Sequence, residues 1–338
     1  MKRDGPGILL ADILSGEDPQ VEAVLRVVRH ANPDVLVLGG FDFDLGGVAL
    51  DAFADRLEGY AYRFASRPNR GRPSGLDLDG DGRVGGPGDA VGYAAFQGQS
   101  GLAVLSRYPI DSGGVIDFTS FHWSALPGHQ ALENVPPDFP LSTTGHWSVP
   151  LMLPSGAILH VLTWHATPPV FDGPEDRNGR RNHDETALWL AYLNAALPYP
   201  PPEDFVVAGF ANLDPIDGDG RPEALNALLA HTAVTDPKPK SPGGVAHGDA
   251  GHQGDPALDT VDWPEERGGP GNLRVDYVLP SATLTATGSG VLWPDSDGSL
   301  SRDVERASRH RLVWVDVQVT DRGANGRQGI GVAELGQK

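Results

Sequence analysis

The sequence predicts a mixed α/β protein in which helices cover two packed sheets, and three observations lead there. Short apolar runs recur along the chain between Gly and Pro turns, as strands do. Other segments space their apolar residues at helical period. The two kinds alternate without a break in composition, which favours one layered domain over two separate halves, although 338 residues would accommodate either. With 39% hydrophobic residues, seven Trp and eleven Phe, the chain has material for a sizeable core.

Taken in order, residues 19–30 (PQVEAVLRVVRH) read as a helix that Pro33 and Asp34 stop before the strand Val35–Leu38. A second helix fits 49–57, and a Gly-heavy loop follows from 67 to 88. Strands are expected at 101–106, 147–153 and 158–164, a helix at 185–197, a strand at 205–208 and a helix at 222–230. After a polar loop over 237–271, closing strands fit 273–279, 284–287 and 312–319. Residues 1–320 are thus expected to form the domain, and the Gly-rich 321–338 a flexible tail.

The net charge of −19 repels polyanions and argues against nucleic acid as a partner. A small phosphorylated or anionic ligand stays compatible with it through the local cluster Arg177, Arg180 and Arg181. Without Cys there is no disulfide, thiolate metal site or cysteine nucleophile. No apolar run reaches the length of a membrane span, and residues 1–7 lack the apolar centre of a signal peptide. The compartment stays open: periplasmic or extracellular if an export signal has been trimmed, cytoplasmic otherwise.

Four segments look like strand ends that carry a site: LGGFDFD (38–44), TWHATPP (163–169), VAGFANLDP (207–215) and SRHRLVWVDV (308–317). With GLAVLSRYPI (101–110) and NLRVDYVLP (272–280), their order and spacing over residues 8–319 resemble the endonuclease/exonuclease/phosphatase superfamily. The resemblance implies a four-layered α/β/β/α sandwich of two mainly antiparallel sheets. It also implies phosphoric ester hydrolysis with a divalent cation, usually Mg²⁺, held by carboxylates at the sheet ends. His165, Asn212 and His310 match the family's strand His, the Asn of its GD-x-N pair and the His of its terminal D-H pair. Asp276, in RVDYVL, stands in a context that relatives share.

The departures are equally specific. Gly40, Phe210 and Arg309 stand where the family has Glu, Asp and Asp, and a first strand ending in Asn is missing ahead of the first helix. A site stripped of these oxygen ligands would hold Mg²⁺ poorly. Arg309 beside His310 would instead favour a bound anion. Asp42, Asp44 and Asp214 are available as substitute ligands or as turn caps. In the polar stretch 168–185, Asp172, Asp176, Arg177, Arg180 and Asn182 form either a substrate rim or a solvated loop that caps the next helix. His146 and His183 lack metal-ligand spacing and read as structural.

DLDGDG at 77–82 resembles the first half of a calcium loop, with Asp77, Asp79 and Asp81 alternating and Asp89 beside the position of the closing ligand. Ca²⁺ is therefore expected at 77–89. The resulting expectation is a phosphoesterase with an altered metal centre acting on a small phosphomonoester or phosphodiester, with His165, His310, Asn212 and Asp276 catalytic. Arg177, Arg180, Asn182 and Arg309 would bind substrate. The alternative is a catalytically silent relative that serves as an anion-binding or structural module.

Overall fold

A computed structural model of the chain describes residues 1–265, 268–320 and 327–336. Helices α1 (Ile8–Ser15) and α2 (Pro19–Ala31) lead into β1 (Val35–Phe41) and α3 (Val48–Ala54). Strands β2 (Tyr62–Phe64), β3 (Gly101–Ser106), β4 (Ile116–Asp117), β5 (His146–Met152) and β6 (Ile158–Trp164) precede α4 (Arg177–Leu193), β7 (Phe205–Phe210), α5 (Glu223–Leu229) and α6 (Pro242–Ala246). The chain continues through β8 (Val261–Asp262), β9 (Asn272–Leu273), β10 (Asp276–Pro280), β11 (Thr285–Leu292), α7 (Ser299–Ala307), β12 (Leu312–Thr320) and β13 (Arg327–Leu335). Local chemistry sets these bounds: Asp18 caps α2 by accepting from the Val21 amide at 2.8 Å, Pro19 opens it, and Asn32 closes it in the left-handed region at φ 48°.

One sheet runs β11-β12-β13-β1-β3-β2 and the other β10-β7-β6-β5-β4. All named pairings are antiparallel except β1 with β13 and β6 with β7. Alternation along each strand builds the layers. Val35, Val37, Val315 and Val332 meet Trp147, Val161, Val206 and Val278 between the sheets. Leu36, Leu105 and Leu335 face α1–α3 and α7 on one outside, and Leu162, Trp164 and Tyr277 face α4 and α5 on the other. The result is the expected α/β/β/α sandwich. Among the described residues no helix is long and apolar enough to cross a membrane.

The expected flexible tail is overturned from residue 327 onward. β13 lies between β12 and β1, with Ile330 and Val332 in the inter-sheet core and Ala333 and Leu335 against the helices. Gly329 and Gly331 dilute the apolar pattern, and this hid a strand buried on both faces. Residues 321–326 and 337–338 lie outside the described residues. A strand, helix, strand crossover sets its two strands parallel in one sheet. β13 is the parallel neighbour of β1, so it takes the slot that a strand preceding α2 would fill.

Further elements lie outside the expected set, α1, β2 and β4 among them. α7 escaped notice because only Val304 and Ala307 of its nine residues are buried. The polar stretch 237–271 contains α6 and β8. If β13 is a core strand, Ile330→Ala should destabilise the protein by about 2–5 kcal/mol in urea unfolding. A change near zero would restore the frayed tail.

Candidate active site

Strand direction brings the expected residues to one end of the sandwich. β6 and β7 run parallel, so His165 and the segment Phe210–Asn212 follow at the same edge. β10 runs antiparallel to β7 and sets Asp276 opposite Phe210. His310 stands just ahead of β12 in the other sheet. His165, Asn212 and His310 all line one cleft of about 670 Å³, with Arg70, Arg177 and Trp263.

The His310 Nδ1 lies 2.9 Å from both carboxylate oxygens of Asp276, which is fully buried. A proton on Nδ1 donated to Asp276 leaves the Nε2 lone pair for the cleft. Gly336 backs the ring closely: a Cβ there would fall 2.7 Å from His310 Cβ. The rings of Trp263 and Phe210 meet His310 edge-on, with centroids 5.6 and 6.3 Å away. Nearby on β13, Glu334 is fully buried and neither carboxylate oxygen has a partner. Burial, then the charge of Asp276, pushes its pKa well above the usual carboxylate value.

His165 is buried, and its Nδ1 has no partner. Burial drives its pKa well below 6.5, and the charges of Arg70 and His310 add to the shift. It is neutral at neutral pH. Asn212 sits in the left-handed region at φ 52°, which Asn tolerates, and its Nδ2 donates to Ala166 O at 2.7 Å. That bond ties the Asn212 segment to the His165 segment.

Several expected substrate contacts are internal instead. Arg309 is exposed and does not line the cleft, so it neither binds there nor crowds His310. Asn182 is fully buried, and its Nδ2 donates to Thr167 O and Ala211 O, both at 2.7 Å. Arg180 donates to Glu175 O at 3.1 Å and also stays outside the cleft lining. Arg177 does line it, with one Nη fixed on Leu78 O at 2.7 Å. The neighbouring Arg181 is buried, and its guanidinium bonds the carbonyls of Val91, Pro140, Leu141 and Ser142.

The polar stretch is therefore mostly the first half of α4, turned inward. Glu185 accepts from the Thr143 and Thr167 amides, at 2.5 and 2.7 Å. Asp184 accepts from Trp123 Nε1 and the Gln130 amide, at 2.6 and 2.5 Å. Polar residues on the buried face hid the helix from an apolar-period reading.

Of the positions that the resemblance assigns to chelation, Gly40 and Phe210 carry no oxygen ligand, whereas the buried Glu334 nearby leaves both carboxylate oxygens without a partner. The Phe210 ring fills the space over β1, where a Cβ on Gly39 would lie 2.5 Å from it. Gly40 offers no side chain, and the Asp276 carboxylate is occupied by His310. The substitute candidates bind backbone amides: Asp42 those of Arg3 and Ser100, Asp44 those of Gly46, Val48 and Ala49, and Asp214 those of Ile216, Asp217 and Arg274. Among the described residues one group gathers three carboxylates closely enough to hold a metal: those of Asp77, Asp79 and Asp89 lie within 4.8 Å of one another, although each also accepts from backbone amides of its own loop. Asp81 is outside that group and caps the Arg83 amide at 2.8 Å. The loop adjoins the cleft, which Leu78, Asp79 and Gly88 help to line.

Sequence reading missed Arg70, Trp263 and Glu334. The first two stand in Gly- and Pro-rich loops without a motif, and Glu334 stands in the misread tail.

The other buried histidine, His146, yields a test of the fold around α4. Its Nε2 bonds Glu185 O at 2.8 Å, and burial lowers its pKa from 6.5 to about 3. Between those values the unfolded chain binds a proton that the folded chain refuses, so stability falls as pH drops below 6.5. Urea unfolding should show His146→Gln flattening that slope by up to about 1.4 kcal/mol per pH unit. An unchanged slope would place His146 in solvent.

The Endonuclease/Exonuclease/phosphatase family's sequence profile matches residues 13–310. No curated protein matches the sequence. An endonuclease/exonuclease/phosphatase from Beutenbergia cavernae is similar in structure, with TM-score 0.52 and 17% identity over 94% of this chain and 68% of that one. Sphingomyelinase C from Streptomyces griseocarneus follows at TM-score 0.46, with 17% identity over 97% and 96% of the two chains. A beta toxin from Staphylococcus aureus with bound magnesium ions gives 0.45, with 17% identity over 96% and 92%.

Proposed function

The chain belongs to the endonuclease/exonuclease/phosphatase family, and on that premise we propose that its cleft hydrolyses a small phosphomonoester or phosphodiester. The observation that carries this reading is the buried Asp276–His310 pair facing the same cleft as the neutral His165. His310 Nε2 takes a proton from a water whose oxygen bonds to phosphorus as the P–O bond to the leaving oxygen breaks on the opposite side, and the leaving oxygen takes its proton from solvent. His165 and Asn212 bond the phosphoryl oxygens and the water, and Arg177 supplies positive charge at the wall. In this reading no step runs through a metal at the sheet ends, where Gly40 and Phe210 supply no ligand.

A divalent cation belongs in this reading at the rim. Asp77, Asp79 and Asp89 gather three carboxylates, a hard-oxygen set suited to Ca²⁺. Bound there, the ion would neutralise their repulsion and fix the loop whose Leu78 carbonyl holds Arg177. Ca²⁺ should raise the thermal midpoint of the wild type and leave Asp79→Asn unmoved. An equal rise in both would remove the ion from this loop.

A second reading, a silent anion-binding module, draws support from Phe210, whose ring stands where an acidic side chain was expected. Turnover of bis(p-nitrophenyl) phosphate and p-nitrophenyl phosphate separates the two. The hydrolase reading expects turnover that Asp276→Asn lowers by about 10²–10⁴-fold, with fold and cleft intact. No turnover with EDTA, Mg²⁺, Mn²⁺ or Ca²⁺ would leave the silent module.

A further inference from the structure

The chain carries 45 acidic against 26 basic residues, so a cation without an acidic partner stands out. Among the described residues Arg70 forms no ion pair, although it lines the cleft with His165, Asn212 and His310. Its Nε donates to Thr144 Oγ1 at 3.0 Å and one Nη to Tyr93 O at 3.3 Å. Its other Nη has no hydrogen-bond partner among the described residues and is not buried. That nitrogen therefore opens to the cleft.

The backbone around Arg70 is fixed on both sides. Asn69 donates through Nδ2 to Thr119 O and Ser142 O, at 2.6 and 2.8 Å, and the Gly71 amide bonds Gly92 O at 2.8 Å. Gly71 itself, at φ 72°, admits no side chain: a Cβ would lie 2.1 Å from Phe96 O. The guanidinium is thus held in place before any ligand arrives, which lowers the entropy lost on binding. Desolvation lowers its pKa only to about 10, so it stays charged at neutral pH. The other cleft arginines are less free, since Arg181 bonds four carbonyls and Arg177 is tied to Leu78 O beside the acidic loop.

We propose that Arg70 is the phosphoryl-binding cation of the cleft, its open Nη donating to a phosphoryl oxygen beside His165. The proposal rests on the cleft accepting a phosphoryl group, as in the proposed function, but not on turnover. A guanidinium suits this task because it donates to phosphate in a fixed plane.

Inorganic phosphate is the probe, titrated calorimetrically in EDTA against the wild type, Arg70→Gln, Arg70→Lys and Asp276→Asn. The wild type should bind phosphate without a divalent cation. Arg70→Gln should weaken binding roughly 10- to 100-fold and Arg70→Lys less, since it keeps the charge but loses the fork. Asp276→Asn, which tests hydrolysis, should bind phosphate like the wild type while its turnover falls about 10²–10⁴-fold. If no variant hydrolyses an ester while Arg70→Gln still loses phosphate, the hydrolase reading fails and this inference stands. Phosphate binding that Arg70→Gln leaves unchanged, or that needs a divalent cation, overturns it. Should Arg70→Gln not fold, phosphate protection of wild-type Arg70 from phenylglyoxal, mapped by mass spectrometry, decides: protection supports the assignment and its absence overturns it.

Discussion

The Asp276–His310 hydrogen bonds join the two sheets at the end where the cleft opens. Asp276 begins β10 in one sheet and His310 leads into β12 in the other, and the carboxylate has no exposure to water. A buried carboxylate is costly unless its oxygens are satisfied, so this pairing sets how the sheet ends can sit. β13 completes the arrangement, with Gly336 against the His310 ring and Glu334 uncompensated beneath it. The same contact that fixes the sandwich at this end also aims Nε2 at the cleft.

A second constraint comes from the first half of α4. Arg181, Asn182, Asp184 and Glu185 point inward and bind backbone groups of the loops around residues 91, 130, 140–143, 167 and 211, together with the Trp123 indole. Loops without regular structure must satisfy their backbone groups somewhere, and here one helix does it for several at once. The walls of the cleft are therefore rigid although they are built from loops, which suits a site that must hold a phosphoryl group without reorganising.

The layers and most elements were legible in the sequence because apolar residues alternate or recur as the exposed faces require. α2, β1, β3, β6 and β12 are where their patterns put them. β13 was not, because Gly329 and Gly331 weaken its signal, and α4 began earlier than expected because its buried face is polar. In the site, His165, Asn212, His310 and Asp276 could be read from short motifs at strand ends. Asn182 and Arg309 could not be sorted, since whether a polar side chain stitches loops, meets solvent or lines a cleft depends on partners far away in sequence. Arg70 left no trace at all, because what marks it, a place in the cleft wall without an ion pair among the described residues, exists only in the fold.

In this family member a phenylalanine ring and a glycine stand at sheet ends where acidic side chains were expected, and Asp276 holds His310 at the cleft. A crystal structure grown with inorganic phosphate and EDTA tests that account most directly. Phosphate hydrogen-bonded to His310 Nε2 and to the open nitrogen of Arg70, with no metal between them, is the expected result. Phosphate absent from the cleft, or reached only through a cation held by the Asp77–Asp79–Asp89 loop, would contradict it.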